Sequence, residues 1–320
     1  MVTGGAGYVG STLVRILLRN NYSVRVIDRL DFSGDSLIGI YNHPNFEFIK
    51  GDLREEEIID GVLENIDHIV HLAAIVGDPA CAEQPEEARS INWKASKMLY
   101  DKAINQGSID RFIFGSTCSN YGKMNGEKFM DENSELRPVS LYAELKVKFE
   151  KYLLNSNTGN NLTPTSLRFA TAYGLSPRPR FDLTVNDFTR HLYSGKELVI
   201  YGRQFWRPYC HVYDIGRAIL KVLESSAKNV DHEVFGVGDT EENYQKDMIV
   251  EELLNFFPEA DIKYVQKEDD PRDYRVDFSK IKDQLNFEIN KTVPDGIQEI
   301  KSILEKNILS NPYDPNYENI

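Results

Sequence analysis

Tyr142 and Lys146 stand four positions apart in Ser-Leu-Tyr-Ala-Glu-Leu-Lys, and Thr117 closes an apolar run earlier in the chain. A phenol, an ammonium and a hydroxyl can together move a proton at an alcohol. The phenol ionises near pH 10, so it needs help to act at neutral pH. Positions i and i+4 share a helix face, which lets an ammonium sit beside a developing phenolate. An exposed Tyr-Lys pair on an amphipathic helix would look the same, so the pair alone decides nothing. Residues 3–10, Thr-Gly-Gly-Ala-Gly-Tyr-Val-Gly, add the missing half. A glycine turn lets backbone approach a pyrophosphate and aims the next helix N-terminus at its charge. Gly4, Gly7 and Gly10, with Tyr8 and Val9 between them, therefore suggest a nicotinamide dinucleotide, although the spacing departs from Gly-x-Gly-x-x-Gly.

The elements that must position these groups follow from periodicity. Ser11 to Arg19 carries helical apolar spacing, and Tyr22 to Ile27 reads as a strand ending at Asp28. An acid there suits the adenosine ribose hydroxyls and favours NAD, since a carboxylate repels a 2′-phosphate; Arg29 beside it keeps NADP open. Phe46–Lys50, Asp67–Leu72 and Arg111–Ser116 read as further strands and Glu87–Asn105 as a helix. This alternation predicts an α/β fold with a doubly wound parallel sheet, whose strand ends line the cofactor cleft. Asp52 and Leu53 could flank the adenine, and Ala73 and Ala74 could let the cofactor pass or serve helix packing equally well. Only Met1 and Val2 precede the turn, so the first strand is either very short or lacks preceding residues.

Past about residue 170, prolines at 177, 179 and 208 break the alternation. Helices are expected near 182–194, 212–224 and 244–256, with Val234–Val237 returning to the main sheet. The expected division is a dinucleotide-binding domain of 1–170 plus about 209–237, and a smaller mixed α/β substrate domain of 171–208 and 238–320. The polar tail 311–320 is expected to be extended or frayed.

Composition narrows the partners. A 41% hydrophobic content over 320 residues supports a substantial core. No apolar run approaches a membrane span, and a cytoplasmic location without membrane attachment is expected. The net charge of −13 argues against nucleic acid as partner. Against that background Arg178, Arg180, Arg203 and Arg207 crowd one stretch, which suits a small anion. Cys81, Cys118 and Cys210 lack metal-ligand spacing, so neither a disulfide framework nor a metal site is expected.

Several motifs in order resemble the extended short-chain dehydrogenase/reductases of the NAD-dependent epimerase/dehydratase type, which act on nucleotide-linked sugars. They are the glycine turn, Asp28, Gly-Asp-Leu at 51–53, His-Leu-Ala-Ala at 71–74, Asn92 in Ile-Asn-Trp-Lys-Ala and Ser-Thr-Cys-Ser-Asn-Tyr-Gly at 116–122. Tyr142 with Lys146, Arg168, Arg207-Pro-Tyr-Cys-His-Val-Tyr-Asp and Asp270-Pro-Arg-Asp-Tyr continue the series. The resemblance implies that Tyr142 is the acid/base on a sugar hydroxyl, Lys146 lowers its pKa and holds the nicotinamide ribose, and Thr117 completes a triad. It makes Asn92 a cofactor-site residue. Arg207 and Arg272 would grip the nucleotide diphosphate, with Thr171 where many relatives carry Asn and Asn186 as a stand-in. It also implies a homodimer through the helices at 87–105 and 141–155.

Reaction type turns on the residues after Thr117. The resembling 4,6-dehydratases place Asp then Glu there, whereas this chain has Cys118 and Ser119. The 3,5-epimerising relatives use a cysteine two places on, and Cys118 is one place early, so its side chain points elsewhere on extended backbone. Cys118, His71 and His211 are therefore expected to pack rather than react. The expectation is a nucleotide-sugar epimerase that oxidises and re-reduces one carbon, C4, using bound NAD. A 4-ketoreductase, dehydrogenase or dehydratase of the same family is the alternative, and a non-catalytic NAD-binding sensor or scaffold the second.

Overall fold

The computed structural model describes residues 1–123, 128–159, 162–266 and 272–319. Its largest sheet has seven strands, all paired in parallel: β1 (Val2–Thr3), β2 (Val24–Asp28), β3 (Phe46–Lys50), β4 (His68–His71), β5 (Arg111–Thr117), β6 (Thr163–Phe169) and β10 (Glu233–Val237), in the order β3-β2-β1-β4-β5-β6-β10. Strand order reverses beside β1, and a crevice opens at such a switch point beyond the carboxyl ends of the strands. Parallel strands are covered on both faces, which is why β5 can bury Phe112, Ile113 and Phe114 in succession. One cover is the helix α1 (Tyr8–Arg19), packed on the helix Val212–Glu224; the other includes the helices Ser96–Gln106 and Leu141–Leu154. Leu99, Tyr100, Phe112, Phe149 and Leu153 lock that second face together.

The predicted strands and helices stand close to their expected bounds, and β1 is two residues long. Glu87–Asn105 is less regular than its periodicity suggests. It divides into the helix Pro85–Arg89, a π turn over Ser90–Ala95, in which the Ser96 N–H donates to the Ile91 C=O five residues back, and the helix Ser96–Gln106.

A second unit is built on two smaller sheets. β7 (Thr171–Tyr173), β9 (Trp206–His211) and β11 (Asn243–Gln245) form one, with β9 central; β8 (Leu198–Tyr201) and β12 (Ile262–Val265) form the other. The expected segment 209–237 thus divides. Its first three residues lie in β9, while the helix Val212–Glu224 and β10 join the large sheet. The helices Thr184–Tyr193, Lys246–Phe256 and Val293–Glu305 close the second core around Val185, Ile200, Ile249 and Ile297.

The tail departs from expectation. The Phe181 N–H donates to the Tyr317 C=O at 2.7 Å, and Arg190 reaches both the Pro312 C=O and the Glu318 carboxylate at 3.1 Å. Composition gave no sign of this, because the anchors are buried arginines remote in sequence. Among the described residues no helix is long and apolar enough to cross a membrane, and no group of three or more His, Cys, Asp or Glu could hold a metal ion.

Candidate active site

The glycine turn is shaped by contact. Gly4 has φ +71°, in the left-handed region. A Cβ on Gly10 would lie 2.1 Å from the Gly4 oxygen, so α1 rests directly on the turn backbone. Gly7 begins α1 without a side-chain cap, which leaves the first helical N–H groups to an outside acceptor. Both features fit a dinucleotide pyrophosphate.

Asp28, at the end of β2, accepts from the Ala6 N–H and the Leu30 N–H at 2.9 Å each, so it ties the glycine turn to its own loop. Burial raises its pKa, against those two hydrogen bonds. Arg29 points away into a carboxylate cluster, reaching Asp31, Asp52 at 3.2 Å and Glu87 at 2.9 Å. An arginine held by three carboxylates is ill placed to take a 2′-phosphate, which favours NAD. Against burial, hydrogen bonds from Arg54 and Arg29 bring Asp52 down to about 2.

One cleft of about 490 Å³ runs along the strand ends, lined by Gly4, Gly7, Tyr8, Val9 and Gly10 with Asp28, Asp52, Leu53, Ala73 and Ala74 on the cofactor side. Thr117, Tyr142, Thr171, Arg207 and Arg272 line the same cleft. Ala73 lines the cleft, and its backbone nitrogen would sit 2.8 Å from a Cβ on Gly4, so the close approach there requires glycine in the turn.

Three expected residues stand back from the cleft. Asn92, on the π turn, accepts from the Ile75 N–H at 2.8 Å and donates to the Ile75 C=O at 2.9 Å, fixing the loop after β4. Lys146 is buried, donates to the Gly115 C=O at 2.7 Å and has its ammonium 5.8 Å from the Tyr142 ring centroid. Asn186 is corrected from diphosphate binder to scaffold. It accepts from the Gly174 N–H and donates to the Arg180 C=O, both at 2.8 Å, and it is 1% exposed, so its amide is already spent.

Ser140 caps the helix that carries Tyr142 and Lys146, accepting from the Ala143 N–H and donating to Asp78 at 2.6 Å. Burial pushes the Tyr142 phenol up and brings Lys146 down to about 8. Thr117 accepts from the Ser119 N–H at 3.1 Å, which orients its hydroxyl at the end of β5. Cys118 turns inward as expected: it is buried, donates to the Arg168 C=O at 3.3 Å, and burial raises its thiol pKa. His71 spans Thr3 and Ser96 at 2.8 Å each, and His211 spans the Tyr213 N–H and Glu299, so both are satisfied core histidines.

Arg207 lies over the Tyr274 ring at 5.4 Å, and Arg272 pairs with Asp78 at 2.9 Å. Tyr209, Tyr274, Phe32 and Asn319 also line the cleft and were not singled out. Tyr209 and Tyr274 carried a signal, as members of the Arg207-Pro-Tyr-Cys-His-Val-Tyr-Asp and Asp270-Pro-Arg-Asp-Tyr motifs.

The profile described as the NAD dependent epimerase/dehydratase family matches residues 1–238. A low-salt glycan biosynthesis protein of Haloferax volcanii is 29% identical over 305 residues, covering 93% of this chain and 96% of the relative. The UDP-glucose 4-epimerase of Thermotoga maritima, solved with UDP-glucose, superposes with TM-score 0.84 at 28% identity, covering 96% of this chain and 99% of that one. The dTDP-glucose 4,6-dehydratase of Streptomyces venezuelae, solved with NAD bound, superposes with TM-score 0.84 at 26% identity, covering 96% and 97%.

Proposed function

Because the chain belongs to the NAD dependent epimerase/dehydratase family, with NAD as its cofactor, we propose that it is a nucleotide-sugar epimerase acting at C4 through a keto intermediate. The carrying observation is the set of side chains beyond Thr117. Thr117 and Tyr142 line the cleft, while Cys118 faces the core and Ser119 takes the next place, so neither residue supplies a carboxylate. The described carboxylates that line the cleft are Asp28, which ends β2, Asp31 in the loop after it, and Asp52 just after β3, all on the cofactor side. Loss of water from a sugar needs an acid for the leaving hydroxyl and a base for the neighbouring carbon. Removal and return of a hydride needs neither.

In this reading Tyr142 takes the proton of the sugar hydroxyl as bound NAD supplies the hydride acceptor, and gives a proton back on re-reduction. Burial opposes the phenolate and the Arg180 charge favours it; in this reading the Lys146 ammonium, 5.8 Å from the ring centroid, adds to that support at neutral pH. Thr117 donates to the reacting oxygen. Arg207 and Arg272, together with Thr171, hold the nucleotide diphosphate, because a guanidinium fork offers paired donors to phosphate oxygens. The dehydratase named among the relatives and a ketoreductase using the same triad are the competing reactions.

Incubation with UDP-, dTDP-, GDP-, CDP- and ADP-sugars, without added NADH and with product separation, tests the reading. The expected result is a sugar epimer with no net cofactor consumption. A 4-keto-6-deoxy product would establish dehydration instead, and product that appears only with added NADH would establish a reductase.

A further inference from the structure

Arg178 stands where the second unit is stitched to the start of α1. The Tyr8 hydroxyl donates to the Gly174 C=O at 2.7 Å, the Ser176 hydroxyl donates to the Tyr8 C=O at 2.7 Å, and the Thr12 hydroxyl donates to Ser176 at 3.3 Å. The Arg178 N–H donates to the same Ser176 oxygen at 3.3 Å. This short segment is therefore fixed against the helix end that the glycine turn presents to an anion. The Arg178 guanidinium lies 4.2 Å from the centroid of Phe32, which belongs to the loop after Asp28, and both residues line the cleft.

Its partners are unusual for a side chain 5% exposed. One nitrogen donates to the Asn319 side-chain oxygen at 2.6 Å and another to the Glu318 C=O at 3.1 Å, and both acceptors are neutral. The Nε group is buried without an acceptor among the described residues. The neighbouring cleft arginines differ: Arg29, Arg180 and Arg272 are each paired with a carboxylate. A buried guanidinium that is oriented but not neutralised is expensive unless an anion completes it. Its place beside α1 and the Asp28 loop, on the cofactor side of the cleft, selects the dinucleotide over the sugar nucleotide.

We propose that Arg178 is a ligand for the pyrophosphate of NAD, contributed by the second unit and held in its binding rotamer by the C-terminal tail through Asn319 and the Glu318 carbonyl. Cofactor binding then joins the glycine turn, the second unit and the tail in one set of contacts. The proposal rests on NAD as cofactor and is independent of which sugar reaction follows.

Calorimetry on the full chain reads this without turnover, using ADP-ribose, adenosine and UDP as separate ligands. R178Q is expected to weaken ADP-ribose about tenfold or more, the scale of a lost charge-assisted hydrogen bond, with adenosine and UDP unchanged. N319A, which loosens the guanidinium without removing it, is expected to weaken ADP-ribose about threefold, again with UDP unchanged. R178K keeps the charge and loses the fork; it serves if R178Q does not fold, with a loss between those of the other two variants. ADP-ribose affinity unchanged in the arginine variant tested overturns the proposal. Equal losses for UDP and ADP-ribose overturn the assignment to the cofactor, and an unchanged N319A overturns the role of the tail.

Discussion

Replacing Tyr142 by Phe removes one oxygen and little else. No described residue hydrogen-bonds that hydroxyl, and the ring packs beside Cys81 and Leu145 through its carbon edges, which Phe reproduces. The folded state loses no internal hydrogen bond, so unfolding free energy should stay within about 0.5 kcal/mol of wild type, the usual range for a substitution that disturbs no buried partner. Turnover should fall ~100-fold or more, because general acid/base catalysis commonly contributes that much. A factor of 100 corresponds to about 2.7 kcal/mol on the barrier, several times the expected stability change. The assay pairs epimer formation on the best sugar nucleotide with a urea titration and the NAD content of the purified protein. Turnover near that of the wild type would refute the assignment. A parallel collapse of urea midpoint and NAD content would refute the claim that the hydroxyl is structurally idle.

Asp28→Ala should narrow the preference for NAD over NADP measured by calorimetry, and should lower stability by ~1–3 kcal/mol because the Ala6 N–H and Leu30 N–H lose their acceptor. Tighter binding of NADP by the wild type would remove the role given to Asp28. Arg272→Ala should weaken UDP or dTDP binding by about 2 kcal/mol, the lower end for a charged contact because the side chain is 39% exposed, and should leave NAD affinity intact. Unchanged nucleotide affinity would make Arg272 only the partner of Asp78. Burial brings His71 down to about 3, helped by the nearby Lys146 charge, so its folded pKa lies below the unfolded one. Its contribution to stability is then complete above pH ~6.5 and declines as pH falls from there towards 3, by roughly 2.7 kcal/mol at pH 4.5. Imidazole NMR signals of His71 should not titrate between pH 8 and 5, and a midpoint in that range would contradict this. Finally, light scattering should give about twice the 36.7 kDa monomer mass if the helices Ser96–Gln106 and Leu141–Leu154 pair across a two-fold axis; a monomer at micromolar concentration would reject the dimer.

The cofactor side was largely legible in the sequence because its signals are local. A glycine turn, an acid ending the next strand and strand patterns of five to seven residues each declare themselves within one element. Thr117 and Tyr142 were legible as well, one ending a strand and the other opening a helix. The second unit resisted because β7 and β11 have three residues each and pair with β9 across gaps of more than thirty residues, which no periodicity marks. Asn186 failed for a related reason. Its residue type permits phosphate binding, and only the position of Gly174 and Arg180 shows that its hydrogen bonds are taken. The tail was misread because polar composition reports a lack of apolar core, while its anchors are the buried arginines Arg178 and Arg190.

The π turn at Ser90–Ala95 makes chain length itself a constraint. Between Pro85 and Gln106 Asn92 must meet Ile75 on one side while Leu99 and Tyr100 meet the β5 layer on the other. Each residue of regular α-helix advances about 100° around the axis. Deleting one residue from the turn would let the backbone relax into regular helix, yet it would swing either the amide or the aromatic face off its target by about that angle. The local gain in backbone regularity would come with a detached loop after β4 or a disordered core layer. This stretch should therefore tolerate changes of residue type on its solvent side far better than any change in the number of its residues.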